Sequence, residues 1–173
     1  LKISKIFETF FSVSPKRITN PEKLSHMLAE RTSLLRDFLE EFIENETTND
    51  FKMRLVGKGG LHDVIKETLI EDLSLSDFID AYVQTITYGL FLAEISSKDS
   101  ITENNAGNFI PETLGIVRDL FKTIDIEDIP DSIDWIIEEI IDILNRIDRD
   151  KLKNKLSFSK LYDYEDPYVY FYE

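Results

Sequence analysis

Four features of this sequence could do chemistry: a glycine-lysine turn, two histidines, many carboxylates and a late Asp-Pro-Tyr run. The turn is Gly57, Lys58, Gly59, Gly60, set between a short apolar run and a helical stretch, where a phosphate-cradling loop would lie. A P-loop needs four residues between its first glycine and a Gly-Lys pair, then Ser or Thr for the metal. Here Gly59 follows Lys58. The turn also mimics the glycine turn that holds S-adenosylmethionine in methyltransferases, but no following strand delivers a ribose-binding carboxylate. A flexible interhelical loop is the expected role. His26 and His62 are the only histidines. Neither has a second histidine or a partner carboxylate at a metal-ligand offset, so both are expected to be structural or exposed.

No nucleophile elbow exists from which to build Ser-His-Asp chemistry. Carboxylates cluster at Glu40 and Glu41, at Glu138 and Glu139, and from Asp125 to Asp128. On helices such pairs are solvated faces, and a metal-dependent nuclease core would need them on adjoining strands. Asp166, Pro167, Tyr168 approaches the Asp-Pro-Pro-Tyr turn with which DNA amino-methyltransferases grip the amine of a flipped base. One proline stands where two are needed, so the turn is not catalytic. No catalytic, cofactor-binding or metal-ligating residue is therefore assigned.

The charge balance points the same way. The 34 acidic and 20 basic residues leave a formal net charge of −14. A surface of that sign repels phosphate and gains nothing from counterion release, so the chain alone should bind DNA or RNA poorly. There is no cysteine. That excludes disulfides and thiolate metal sites and fits a reducing cytoplasm, the expected location. No run approaches the ~20 apolar residues of a membrane span. The chain begins at Leu1 rather than Met and stops inside Tyr168, Val169, Tyr170, Phe171, Tyr172. Both ends are expected to be cuts in a longer polypeptide.

The elements that must position these residues are helices. Ile3, Ile6, Phe7 and Phe10 share a helical face in residues 1–11. Asn20 followed by Pro21 is a strong helix start, and the stripe Leu24, Met27, Leu28, Thr32, Leu35, Phe38, Leu39, Phe42 runs to about Asn45. No ion-pair spacing is expected to support this helix, so packing must. Phe51–Val56 is a weaker segment, and 61–73 reads as helical. Ser76 is expected to cap a helix lined by Phe78, Ile79, Tyr82, Ile86, Leu90 and Ala93. Residues 96–108 read as a loop with a turn of helix after Thr102, and Pro111 opens a helix through Leu114, Val117, Leu120 and Phe121. Pro130 and Asp131 begin the clearest helix: Ile133, Ile136, Ile137, Ile140, Leu144 and Ile147 recur at threes and fours, with Asp134, Glu138 and Asp142 facing out. Ile141 and Ile143 widen its apolar face, so it should be touched on several sides. A short amphipathic stretch, 151–158, leads to the tail. The fold class is all-α, an irregular bundle of about six or seven helices with an extended aromatic C-terminal tail. Residues 1–157 form the bundle domain and 158–173 the linker tail.

Two stretches resemble a known family. Tyr82, Val83, Gln84, Thr85, Ile86, Thr87, Tyr88, Gly89, Leu90, Phe91 is similar to a helix of large adenine-specific DNA methyltransferases of restriction-modification systems. In those enzymes it belongs to an all-helical region just before the methyltransferase domain. The tail Glu165, Asp166, Pro167, Tyr168, Val169, Tyr170, Phe171, Tyr172, Glu173 resembles the segment joining the two. The order of an early Phe-rich helix, then 20–39, then Asp134, Trp135, Ile136 fits as well. The resemblance implies a spacer or coupler domain with no chemistry of its own, in a parent that methylates adenine using S-adenosylmethionine. The implied partners are the methyltransferase domain, a nuclease or motor domain of the same polypeptide, and DNA through the parent. Gln84, Thr85, Tyr88, Gly89, Asp166, Pro167, Tyr170 and Tyr172 are the expected interdomain or DNA-path contacts. On the residues themselves, Gln84 and Thr85 are expected to satisfy buried polar groups, and Gly89 to meet a close-packed backbone. The tail rings would dock on the methyltransferase domain. The alternative is a free-standing acidic helical module that binds another protein.

Overall fold

The structure is a computed structural model that describes residues 16–115, 118–119, 121 and 129–162, with side chains to residue 155. The expected helix in 1–11, Val117, Leu120, and the tail contacts Asp166, Pro167, Tyr170 and Tyr172 lie outside the described residues. The described chain is all-α, and the one β-type pairing among those residues is an isolated parallel bridge between Ile18 and Ile147. The helices are α1 (Pro21–Asn45), α2 (Asp50–Val56), α3 (Leu61–Thr68), α4 (Leu75–Ser96), α5 (Glu103–Phe109), α6 (Asp131–Asn145) and α7 (Arg149–Tyr162), with a 3-10 turn at Glu112–Leu114. Among the described residues no helix is long and apolar enough to cross a membrane.

Helix starts follow local chemistry. Asn20 Oδ1 accepts from the Glu22 N–H at 2.9 Å, satisfying one of the orphan donors that open α1. Asn49 does the same for α2, accepting from Phe51 and Lys52 N–H at 2.9 and 3.3 Å. The cap of α4 is Ser74, not Ser76: its hydroxyl accepts from the Asp77 N–H at 3.1 Å. Ser76 instead bonds outward to Arg36 and Glu40. Thr102 and Asn105 open α5, Asn105 Oδ1 accepting the Thr102 N–H at 2.7 Å. That turn extends to a helix of 7 residues where the sequence suggested mostly loop. Conversely, α3 stops at Thr68, short of the expected end at 73, and a turn leads on to α4. The segment after Pro111 opens as a 3-10 turn rather than as α-helix.

The chain divides into two compact units, residues 25–145 and residues 1–24 with 146–173. In the larger unit α4 packs against both α5 and α6, and α2 against α3. Ile136, Ile137, Ile140 and Leu144 of α6 are fully buried, and Ile141 and Ile143 are buried as well. The sequence expectation of a helix touched on several sides is met. Truncating one such isoleucine to alanine costs about 2–5 kcal/mol in a typical core. Helix α1 presents Leu28, Leu35, Leu39 and Ile43 to this core. Contrary to the expectation from its sequence, it also carries an ion pair at helical spacing, Arg36 to Glu40 at 3.1 Å. At half-exposed positions such a pair adds only about 0.3–0.5 kcal/mol, so packing still holds the helix.

The smaller unit buries Ile18, Leu24, Ile147 and Leu152. Ile18 exchanges backbone bonds with both sides of Ile147, donating to the Arg146 carbonyl and accepting from the Asp148 N–H, each at 2.8 Å. Asp148 then caps α7: its carboxylate accepts from the Lys151 N–H at 3.2 Å and pairs with Lys151 Nζ at 3.0 Å. The side-chain bond to Lys151, helped by the backbone bond, holds the Asp148 carboxyl below the usual aspartate range. A carboxyl with a lowered folded pKa contributes stability above its unfolded pKa and loses it as pH falls through the folded one. NMR titration of the Asp148 carboxyl carbon should therefore show a midpoint below that of an unstructured aspartate. Lys151→Met should raise the midpoint toward that value, and an unchanged midpoint would refute the pairing.

Candidate functional site

In the larger unit, polar side chains of α1 bond across to α4 and α6. Thr32 of α1 donates its hydroxyl to the Leu28 carbonyl at 2.8 Å. A hydroxyl has one proton, so the 2.8 Å bond between Thr32 and Thr87 is donated by Thr87. Thr87 is buried, and this bond satisfies it. One turn toward the C-terminus of α1, Arg36 reaches α4, with Nε 2.5 Å from Asp80 Oδ1 and Nη2 donating to Ser76 Oγ at 3.0 Å. Arg31 pairs with Glu139 of α6 at 2.5 Å, and Phe38 meets Trp135 edge to face at 5.6 Å. These contacts tie three helices together by geometry as well as by burial.

The run expected to make external contacts splits between core and surface. Gln84 is exposed, against the expectation that it satisfies a buried group. It lies on the outer line Asp77, Ala81, Gln84 of a helix whose other faces are packed. Thr85 is half-buried and spends its hydroxyl on the Ala81 carbonyl at 2.7 Å, and Tyr88 is half-buried beside it. From Gly89 to Glu94 every residue is buried. Gly89 meets a side chain, not a backbone: a Cβ there would overlap the ring of Phe121. Of the expected contacts, Gln84, Thr85 and Tyr88 therefore form a short accessible strip, while Gly89 belongs to the core.

Two further groups escaped the sequence reading. Glu94 is only 1% exposed. It continues the four-residue line Phe78, Tyr82, Ile86, Leu90, and that spacing was the available signal. Asn145, at the end of α6, accepts from the Ile101 N–H and donates to the Ile101 carbonyl, both at 2.9 Å. This two-bond clamp fixes the loop between α4 and α5 and has no sequence signature.

The remaining candidates are structural or superficial. Gly59 has φ +77°, and its N–H donates to the Asp63 carboxylate at 3.0 Å. The chain's own carboxylate thus occupies the donor a phosphate would use. Gly60 starts α3, and a Cβ there would press on the Arg54 carbonyl. These glycines are required by a tight interhelical turn. His26 is exposed; His62 is half-buried, 3.2 Å from the Leu73 carbonyl through Nε2, with its ring 5.0 Å from Phe78. Both are structural or exposed, as expected. Glu138 and Glu139 take different roles: Glu139 pairs with Arg31, while Glu138, Asp134 and Glu103 bring carboxylate oxygens within 4.8 Å of one another. Oxygens at that spacing are what a divalent cation bridges, yet the first turn of a helix, where Glu103 sits, favours a carboxylate without one. Comparison of the chain with protein-family models, with curated proteins and with solved structures finds no match.

The Gly89–Phe121 contact makes a prediction of definite sign. Gly89→Ala gains about 1 kcal/mol of helix propensity but crowds the ring, so urea unfolding should show a net loss of about 1–3 kcal/mol. Adding Phe121→Leu should recover part of it. A stabilised Gly89→Ala protein would show that the ring does not hold this place.

Proposed function

We propose that the chain is a non-catalytic helical spacer or coupler domain of a larger restriction-modification adenine DNA methyltransferase. Methyl transfer from S-adenosylmethionine to a flipped adenine would be done by another domain of the parent. One observation carries the reading. The run that resembles the family, 82–91, is a packed strut that leaves a narrow polar strip, Gln84 with Thr85 and Tyr88, accessible on one side. A strut held by Thr87, Arg36 and the Phe121 ring transmits position, and a strip of short polar groups suits a neighbouring domain. The glycine turn supports the same assignment, because Asp63 already fills its anion-facing donor.

In this role the domain keeps the methyltransferase domain in register with a nuclease or motor domain, and meets DNA only within the parent. A net charge of −14 makes independent DNA affinity unfavourable. The coding sequence beyond Glu173 is the direct test. A glycine-rich turn followed by an Asn-Pro-Pro-Tyr run is the expected result. A stop codon directly after Glu173 would overturn the proposal in favour of a free-standing acidic interaction module.

A further inference from the structure

The segment between α3 and α4 breaks the pattern of the rest of the molecule. Leu69 is 78% exposed, Ile70 52% and Val64 47%, within a few residues of one another. Single exposed apolar residues need no explanation, but two adjoining in the chain, Leu69 and Ile70, do. The turn that holds them out is pinned. The Leu69 and Ile70 N–H groups both donate to the Ile65 carbonyl, Leu73 is buried as an anchor, and its carbonyl lies 3.2 Å from His62 Nε2. Beside this turn is an open groove of about 720 Å³, lined by Asp63, Lys66, Glu67, Thr68, Leu69 and Glu71. Asp63, Lys66 and Glu67 follow helical spacing along one wall, while Leu69 and Glu71 come from the turn. Exposed Asp72 follows Glu71 in the chain.

We infer that this groove is a docking site for a basic amphipathic helix of a partner protein. Leu69 provides the apolar anchor, with exposed Ile70 next to it in the chain, and the carboxylates Asp63, Glu67 and Glu71, which outnumber Lys66, select the sign of the flanking charges. The same carboxylates disfavour other occupants. A second copy of the chain would set Glu67, Glu71 and Asp72 against their equivalents, and nucleic acid or an anionic lipid surface would be repelled. A partner helix with leucines on one face and lysines beside them reverses each of these penalties. The inference goes beyond the coupler assignment and stands whether or not that assignment holds.

The test is an NMR titration of the full chain with a synthetic helical peptide of leucine and lysine in heptads. Shifts confined to residues 61–77 are expected, with affinity falling as salt rises. Leu69→Ser with Ile70→Ser should weaken binding by about tenfold or more without lowering the melting temperature, since both side chains are exposed. Glu67→Lys with Glu71→Lys should also weaken it, and a peptide with glutamate for lysine should not bind. Shifts spread over the whole acidic surface, affinity unchanged in the Leu69 and Ile70 variant, or no binding would overturn the inference. So would self-association of the chain abolished by the Leu69 and Ile70 changes, which would make the occupant a second copy.

Discussion

Among the described helices, α4 and α6 carry more apolar surface than one buried face can hold, and that constraint orders the larger unit. The C-terminal half of α4, from Gly89 to Glu94, is buried on every side, and α6 buries Ile133, Ile136, Ile137, Ile140, Ile141, Ile143 and Leu144. Burial of an apolar side chain of this size stabilises the fold by about 1.5–3 kcal/mol relative to exposure. Helices so apolar need neighbours around them. Helix α1 supplies a stripe of leucines, α5 packs on α4, and the Phe121 ring occupies the space left by Gly89.

Polar groups caught in such a core must find partners or destabilise it, and their partners give the packing its register. Thr87 donates to Thr32, which has already given its proton to Leu28. Asn145 answers both backbone groups of Ile101. Arg36 and Arg31 reach from α1 to α4 and α6 at the border of the core, where ion pairs fix orientation more than they stabilise. Hydrophobic burial alone would allow α1 to slide or rotate. These bonds leave it one setting.

The helical class was legible because threes and fours of isoleucine and leucine are hard to mistake in α4 and α6. Caps were legible where Asn and Pro adjoin, as at Asn20 and Pro21. They were less so where two serines compete, since Ser74 and Ser76 differ only in which hydroxyl reaches a free N–H. The early end of α3 was missed because Leu69, Ile70 and Leu73 continue a helical pattern although only Leu73 is buried. Periodicity reports a face but not whether anything covers it. A glycine within an apolar helix signals close packing at Gly89, but its neighbour lies far along the chain at Phe121 and no local pattern names it. Glu94 was overlooked because a carboxylate on an acidic chain is read as solvated by default. The proposed contact strip rests on the resemblance to a methyltransferase family alone, since Gln84, Thr85 and Tyr88 have no chemistry that spacing could declare.

The α4–α6 pair is a rigid strut, whereas the segment between α3 and α4 is held by local backbone bonds and the single buried anchor Leu73, with its other side chains exposed. Native-state hydrogen exchange separates these directly. Amides of 86–94 and 136–144 should exchange only through global unfolding, at a common free energy equal to that from denaturant melting. Amides of 64–72 should exchange at much lower free energy through local opening. Fast, independent exchange within 86–94 or 136–144 would contradict the strut, and with it the case for a domain whose work is to hold others in place.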